Sequence, residues 1–323
     1  MRAAFIEQTG GLEVLKIGEQ PDPKPGANDV LIRVRASCLD RVHLYAREGS
    51  HGMRGVPKPY IAGQDMAGEI LEIGAGAAAA FPKLKIGDKV VAMGGGAHAE
   101  LAVAPAMMTF PLPKGLDYAA AAAIPTAGRP AYQSLIYRAR IAPGEDVMIV
   151  AAGSGVGSFG VQIARATGCR VIATVGSEEK KAKAIEAGAH EVINHYKEDI
   201  AARVKELTGG AGVHAILDHI GTATWEASFA SLRPFGRFVT TGVTSGHKAE
   251  LHLGQLFTKG VELHGVGRVD AAQNRKALGE LLTLVERGLV KPIIQASFPI
   301  EKIAEAHKLM ESSAFFGKIV LTL

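Results

Sequence analysis

The sequence predicts an α/β protein in which a doubly wound parallel sheet domain is joined to a second, β-rich domain. Three observations carry this prediction. An apolar run at residues 147–152 is followed at once by a glycine cluster and then by a helical pattern. Strand-like and helical segments then alternate up to residue 266, which is typical of a parallel sheet. The chain before residue 120 instead has short strand-like segments between turns, which is typical of a compact β-rich unit.

The glycine turn after the first apolar run has the composition of an anion site. Glycines let the backbone approach a ligand, and the N–H groups at a helix start favour an anionic group such as a pyrophosphate. The pattern G-x-G-x-x-G occurs at Gly155, Gly157 and Gly160, but that register places Gly160 a full turn inside the helix. We prefer the register Ala152-x-Ser154-x-x-Gly157, in which two of the three glycines are replaced. A glycine turn that binds nothing is the alternative.

Further strands and helices follow this turn. The later predicted strands are residues 170–175, 191–194, 215–220, 236–242 and 261–266. The predicted helices are residues 177–188, 200–207 and 223–232. Ligands of such sheets bind at the carboxyl ends of the strands. We therefore predict a dinucleotide-binding domain over residues 123–267.

The remaining segments predict the β-rich domain. Its strands are expected at residues 3–7, 30–36, 67–73 and 89–93. The alanine-rich residues 74–80 are predicted to form a surface turn, and residues 118–124 a helix that leads into the nucleotide domain. An amphipathic helix around Leu281 and a last strand at 317–323 are expected to return to the first unit. The second domain is thus predicted to comprise residues 1–122 and 268–323.

Size and composition exclude several classes of protein. A length of 323 residues suggests about two domains, and 47% hydrophobic with 21% charged residues excludes wholesale disorder. The net charge of +4 comes from scattered residues, so a nucleic-acid partner is not expected. The chain has two cysteines, no leader-like start and no apolar run of about 18 residues. We expect a cytoplasmic protein with no membrane span.

Segments spread over nearly the whole chain resemble the medium-chain dehydrogenase/reductase superfamily. The motifs lie at residues 30–36, 62–68, 87–91, 155–157 with 162–164, and 316–318. Within this superfamily the chain looks most like the zinc-free quinone oxidoreductase group, through residues 173–177, 188–194 and 217–221. The resemblance implies a GroES-like β-rich catalytic domain, a Rossmann dinucleotide-binding domain and a homodimer.

The resemblance also locates the positions at which related enzymes bind zinc. Here they are Asp40, Gln64 and the vicinity of Thr126. Glutamine and threonine are poor zinc ligands, and the four-cysteine structural lobe of zinc alcohol dehydrogenases is missing. An improvised site of Asp40, His43 and His51 has a compatible spacing but is less favoured than ordinary polar residues. We therefore expect no metal.

The choice of cofactor follows from the end of the second strand. An NAD site usually presents Asp or Glu about 20 residues past the glycine turn, to bind the ribose 2′-hydroxyl. The matching position is Val175, followed by Gly176 and Ser177. Lys180 is similar to a family lysine that binds phosphate, and His195 falls where relatives often have a tyrosine. We therefore expect NADPH, although Ser177 as a helix N-cap and Lys180 as a solvated charge are also compatible with the sequence.

Other site residues are implied by the resemblance alone. Contacts to the cofactor are expected from Ser154, Gly155, Val156, Gly157, Gly242, Val243, Val266, Gly267 and Lys318. Lys318 as a mere strand-end charge is the alternative. The candidate catalytic residues around the nicotinamide are Asp40, His43, Tyr45 and His51. Asp218 is not expected to be a catalyst.

The resulting hypothesis is a zinc-independent, NADPH-dependent oxidoreductase. It would transfer hydride to a small electrophile, either a quinone or an α,β-unsaturated carbonyl. An enoyl-thioester reductase and a zinc-free alcohol dehydrogenase are alternatives. A low-turnover NADPH-binding protein is the alternative from another class, because relatives of this group serve as lens crystallins.

Overall fold

The computed structural model describes residues 1–267 and 269–323, the side chain of residue 54 excepted. Contacts divide the chain into two compact units. The first comprises Met1–Thr126, Asn274–Leu282 and Pro292–Leu323, and the second comprises Ala127–Gln273 and Thr283–Lys291. The domain limits inferred from the sequence stay a prediction, and their limit at residue 268 lies outside the described residues.

The secondary structure is as follows in chain order. The strands are β1 (Arg2–Ile6), β2 (Lys16–Glu19), β3 (Asp29–Leu39), β4 (Tyr60–Ile61), β5 (Asp65–Ile73), β6 (Lys89–Met93), β7 (Leu101–Pro105), β8 (Thr109–Pro111), β9 (Asp146–Ile149), β10 (Arg170–Val175), β11 (Glu191–Asn194), β12 (Val213–Asp218), β13 (Leu232–Thr240), β14 (Glu262–Gly265), β15 (Ile294–Pro299) and β16 (Lys318–Thr322). The α-helices are α1 (Arg41–Glu48), α2 (Ala75–Ala80), α3 (Tyr118–Ala122), α4 (Pro125–Tyr132), α5 (Gly155–Ala166), α6 (Glu178–Glu186), α7 (Ile200–Leu207), α8 (Thr222–Ser231), α9 (Leu253–Lys259), α10 (Ala271–Glu286) and α11 (Ile303–Ser312). Short 3₁₀ helices lie at Leu12–Val14, Met53–Gly55, Ala106–Met108 and Ile300–Lys302, and a π-helix follows α4 at Gln133–Arg138.

The second unit contains the parallel sheet that the sequence predicts. Its strand order is β11-β10-β9-β12-β13-β14, and each neighbouring pair is parallel. The chain starts in the middle at β9 and moves first to one side and then to the other, which defines a doubly wound sheet with a switch point between β9 and β12. Met148, Ile172 and Ile216 are fully buried on these strands. The predicted fold class is confirmed.

The first unit consists of a mixed sheet and a small antiparallel sheet. The mixed sheet has the order β15-β16-β3-β5-β6-β8, with β7 also paired to β3, and the small sheet has the order β2-β1-β4. The long strand β3 joins the tail to the N-terminal segment because it pairs with β16 as well as with β5. The apolar residues of β3 alternate with exposed ones, and Val30, Ile32 and Val34 form part of a buried core.

One local prediction differs from the structure. Residues 74–80 are not a surface turn, because Ala75–Ala80 form a helix in which Ala77 is buried in the core. Alanine has the highest helix propensity, and burial of one face decides the outcome. After Asp40, α1 begins, and it ends at Gly49, whose φ of 70° terminates the helix. Among the described helices, none has both the length and the apolar character that a bilayer crossing requires.

Candidate functional site

The glycine turn between β9 and α5 is built around Ser154 and Gly157. Ser154 is the N-cap of α5, and its Oγ accepts a hydrogen bond from the Gly157 N–H at 2.8 Å. A Cβ at Gly157 would lie 2.3 Å from the carbonyl oxygen of Ala151, so the close approach of helix and strand requires glycine here. Gly155 and Val156 are the first helical residues, and their N–H groups lie in the turn where an anion can accept from them.

A second group of candidate residues comes together after β10. Ser177 is the N-cap of α6 and accepts from the Lys180 N–H at 3.2 Å. A Cβ at Gly176 would lie 3.4 Å from Nε2 of His195. Burial and then the positive charge of Lys180 lower the pKa of His195. The structure thus places Gly176 beside His195, and Ser177 at the start of the helix that carries Lys180.

Tyr196, which the sequence does not mark as a site residue, lies beside this group. Tyr196 stacks obliquely on His195, with ring centroids 4.5 Å apart, and its ring would be 3.0 Å from a Cβ at Gly176. Its side chain is mostly exposed. The sequence contains a hint of this role, because Tyr196 directly follows the position at which relatives often have a tyrosine.

The ends of the last two strands are positioned by backbone contacts. Val266 donates its N–H to the Thr240 carbonyl at 3.1 Å, and its own carbonyl accepts from Arg138 at 3.2 Å. Gly267 has a φ of 68° and lies in open space. Gly242 is packed so closely that a Cβ would be 2.8 Å from the His219 carbonyl oxygen. Val243 is half-exposed beside it.

Hydrogen-bond donors surround Asp218 at the end of β12. Its buried carboxylate accepts from the N–H groups of Ile220 and Gly221 and from the hydroxyls of Thr224 and Ser228, at 2.6–3.1 Å. With its acceptor positions filled, the carboxylate fixes the turn between β12 and α8.

In the first unit, Asp40 forms a buried ion pair with Lys318. Asp40 is the N-cap of α1, and its Oδ1 accepts from the Lys318 ammonium, whose side chain is 3% exposed. Burial disfavours the charged lysine, but the Asp40 carboxylate outweighs it and raises the pKa of Lys318 above its ordinary value. The Lys318 ammonium is therefore directed to a carboxylate of its own unit.

A further carboxylate beside this pair was not identified from the sequence. Asp65 is fully buried, and it accepts from the Thr126 N–H at 2.9 Å and the Thr126 hydroxyl at 2.6 Å. Burial and the charge of Asp40 raise its pKa to about 7, against the opposing effect of Lys318. The sequence points to Asp65 only through its neighbour Gln64, which occupies a position at which related enzymes bind zinc. Thr126 is thus engaged by a carboxylate.

His43 lies in a buried cluster of histidines. Its Nδ1 accepts from the Asp40 N–H at 3.0 Å, and its ring meets that of His98 edge-on at 4.8 Å. His307 lines the same small cavity, and Arg47 lies 3.4 Å from its Nδ1. Burial is the main cause that lowers the pKa of each histidine, well below 6.5 for His43, to about 4 for His98 and to about 3 for His307.

Tyr45 and His51 form a stacked pair at the end of α1. Their ring centroids are 3.8 Å apart with an interplanar angle of 18°. His51 is exposed, and its Nδ1 lies 3.1 Å from the Ser50 hydroxyl. Its φ of 50° is in the left-handed region. The structure therefore brings Tyr45 and His51 together, whereas His43 faces the interior.

The described residues contain no group of three or more His, Cys, Asp or Glu side chains arranged to hold a metal ion. The backbone carbonyl of Gln64 accepts from Gly94 at 2.8 Å, and Asp40 and Thr126 have the partners given above.

Two family models match the chain. The alcohol dehydrogenase GroES-like domain matches residues 26–114, and the zinc-binding dehydrogenase domain matches residues 155–286. The first lies in the β-rich unit and the second begins at the glycine turn. The chain is also similar to the quinone oxidoreductase of Rattus norvegicus, with 34% identity over 331 residues, covering 100% of this chain and 98% of the relative.

Solved structures agree with this pattern. The chain superimposes on the Escherichia coli quinone oxidoreductase complexed with NADPH with a TM-score of 0.87 and 29% identity, covering 100% of both chains. It also superimposes on an NAD-dependent alcohol dehydrogenase with a TM-score of 0.91 and 31% identity, again over 100% of both chains. The fold is therefore shared between proteins with different nicotinamide cofactors and different named activities.

Proposed function

The chain belongs to the medium-chain dehydrogenase/reductase superfamily, in its quinone oxidoreductase-like group, and we propose that it is a zinc-independent reductase of quinones or α,β-unsaturated carbonyls. It is an NADPH-dependent oxidoreductase. The observation that carries the proposal is the end of β10, where Gly176 lies against His195 and Ser177 caps the helix that carries Lys180, so that a cation and hydrogen-bond donors are available to a ribose 2′-phosphate.

Two further parts of the cofactor have candidate partners in the same unit. The turn at Ser154–Gly157 offers N–H groups for the pyrophosphate, and the carbonyl of Val266 is an acceptor for the nicotinamide carboxamide. NADPH supplies the hydride when it is bound. The protein therefore has to bind and orient the cofactor and to exclude water from the site. We propose Gly242, Val243 and Gly267 as further contacts of the ribose and the nicotinamide.

Zinc independence is supported by the partners of the candidate ligands. Asp40 already binds the Lys318 ammonium, and Asp65 accepts two hydrogen bonds from Thr126. The positive charge of Lys318 would repel a metal cation that binds to Asp40. A zinc ion would also need Cys, His or carboxylate ligands, whereas Gln64 and Thr126 offer only weak neutral donors.

A quinone assay with metal analysis tests the proposed function. NADPH oxidation should be followed with a panel of quinones and enones, with and without chelator, and elemental analysis should be made on the same sample. We expect turnover that is unchanged in chelator and less than stoichiometric zinc. One zinc per chain, or oxidation only of alcohols with NAD⁺, would favour an alcohol dehydrogenase instead, the activity named for one structural neighbour. Turnover with enoyl thioesters alone would identify the other reductase class.

Lys180 should determine the preference for NADPH. We expect NADPH to bind at least ten-fold more tightly than NADH, about 1.4 kcal/mol. Lys180→Ala should weaken NADPH by a similar factor and leave NADH nearly unchanged, because only NADPH carries the 2′-phosphate. Fluorescence titration of both cofactors checks this, with Lys181→Ala on the same helix as the matched control. Equal losses for the two cofactors would show that Lys180 does not contact the phosphate.

His51 is proposed to donate a proton or hydrogen bond to the oxygen on which negative charge develops. His51→Phe keeps an aromatic ring for stacking on Tyr45 but removes the donor. We expect turnover to fall by about 10² if general acid catalysis matters, with a flatter pH–rate profile. Wild-type turnover and pH dependence would identify His51 as a loop residue only. Asp40, His43 and Tyr45 are proposed to position this part of the site.

A homodimer is proposed from the edge of the parallel sheet. Strand β14 is terminal in the sheet order, and its Leu263 is 38% exposed. An exposed apolar edge strand tends to pair with another chain. Light scattering at micromolar concentration should give twice the monomer mass, and a monomer would contradict the proposal.

We also propose a cytoplasmic location, supported by two buried cysteines that are not paired.

A further inference from the structure

One side-chain hydrogen bond joins the glycine turn to the segment that follows the neighbouring strand β12. Nε2 of His219 lies 2.7 Å from Oγ of Ser154. Ser154 follows β9 and His219 follows β12, and these two parallel strands are paired with Leu217 opposite Ile149. The contact therefore lies at the carboxyl ends of the strands, next to the switch point where such sheets bind ligands.

The hydrogen-bonding capacity of Ser154 limits what this contact can do. A hydroxyl has one proton and two acceptor lone pairs. The Gly157 N–H already occupies one lone pair at 2.8 Å. If Nε2–H of His219 donates to the second lone pair, the serine proton remains available for a ligand. If Nε2 is instead unprotonated, the serine proton is used internally.

An anionic ligand selects between these two arrangements. A hydrogen bond from a hydroxyl to a phosphate oxygen is charge-assisted and about twice as strong as one between neutral groups. The arrangement in which His219 donates is the only one that frees the Ser154 proton for such a bond. Binding of a pyrophosphate at the turn should therefore favour the Nε2–H tautomer.

His219 is held in place for this role. The carboxylate of the preceding Asp218 fixes the turn because it accepts four hydrogen bonds from neighbouring groups. The His219 carbonyl in turn accepts from the Thr244 hydroxyl at 3.1 Å. Gly242 packs against the same carbonyl, at a position where a Cβ would be 2.8 Å away. The backbone of His219 is thus constrained on both sides, and its side chain is 7% exposed.

We propose that His219 is a cofactor-positioning residue, which donates to Ser154 and thereby directs the serine hydroxyl toward the cofactor pyrophosphate. This inference rests on the proposed binding of NADPH in the same unit. It assigns part of the affinity for the pyrophosphate to a histidine that follows the adjacent strand β12 and acts through the serine.

Cofactor binding by three variants tests this role. His219→Leu should weaken NADPH by about 10-fold, the effect of one lost hydrogen bond to a charged group. His219→Gln should stay within about two-fold of wild type, because the glutamine amide can donate as Nε2–H does. Ser154→Ala should weaken NADPH as much as His219→Leu, and the double variant should be no weaker than Ser154→Ala. Non-additivity is expected because the two residues act as one unit.

Adenosine 2′-monophosphate provides the control ligand, since it has the 2′-phosphate but no pyrophosphate. Its affinity should be the same in wild type and in all variants. Equal weakening of this ligand, additive losses in the double variant or equal losses in the Leu and Gln variants would each overturn the inference. If His219→Leu does not fold, the comparison of Ser154→Ala with His219→Gln decides it. Wild-type protein that binds the monophosphate but not NADPH would overturn the proposed cofactor, which is a different outcome from failure of the variants alone.

The tautomer gives an independent readout. In ¹⁵N-histidine spectra, assigned with His219→Gln, addition of NADPH should give the Nε2 resonance of His219 the shift of a protonated nitrogen. A purely structural histidine would show no change of tautomer linked to the cofactor. A shift typical of an unprotonated Nε2 in the complex would overturn the inference.

Discussion

Replacing Lys318 with methionine should lower the free energy of unfolding by about 3–5 kcal/mol. The reason is that the ammonium is almost completely buried and holds the Asp40 carboxylate as its partner, with Asp65 close enough to interact with both. Methionine has a similar length but no charge. Its introduction leaves two carboxyl groups buried together without a cation, so at least one must take up a proton or be exposed.

Chemical denaturation at pH 7.5 measures this loss. The matched control is Lys16→Met, because Lys16 pairs with Glu7 at 2.5 Å in the same unit but both side chains are more than half exposed. This surface pair should contribute less than about 1 kcal/mol. Adding Asp40→Asn to Lys318→Met should recover part of the loss, since it removes one of the unpaired charges. A Lys318→Met protein as stable as the Lys16→Met protein would mean that the buried pair is not formed in solution.

Acidification from pH 6.5 to pH 4 should destabilise the protein by several kcal/mol through the histidine cluster. Burial lowers the pKa of His98 to about 4 and that of His307 to about 3, and it lowers the pKa of His43 as well. In the unfolded chain these groups titrate near 6.5. Between these values the unfolded chain binds more protons than the folded one, so stability falls as the pH falls. Each histidine contributes up to about 1.4 kcal/mol per pH unit.

Other groups around the cluster modify the total but not its sign. Arg47 faces His307 and carries a positive charge, which opposes protonation of the histidine further. Asp65 acts in the opposite direction, because its raised pKa makes the folded state the stronger proton binder below pH 7. Asp65 accounts for one proton, whereas the three histidines account for three, so the histidines determine the sign of the slope.

Thermal and urea unfolding at half-unit steps of pH measure the slope. His307→Gln removes one titrating group and retains hydrogen-bonding capacity, so its slope should be smaller by up to about 1.4 kcal/mol per pH unit. His252→Gln is a control, because His252 lies on the exposed start of α9. Equal slopes for wild type and His307→Gln would show that His307 is not buried and neutral in the folded protein.

The sequence by itself determined the fold class and the order of elements in the nucleotide unit. Buried parallel strands are continuous apolar runs, and the start of α5 needs glycine at position 157 because a Cβ there would lie 2.3 Å from the carbonyl oxygen of Ala151. Both signals are local. The residue types around Ser177 and Lys180 are likewise a local pattern of the sequence.

Only the tertiary structure decided which side chains meet. Lys318 and Asp40 are 278 positions apart in sequence and become neighbours because β16 pairs with β3. Ser154 and His219 are 65 positions apart and meet because β9 pairs with β12. The alanines of 75–80 form a helix because one of them enters the core. The free energies of these contacts depend on burial and on distances across the sheets, which no local pattern of residues records.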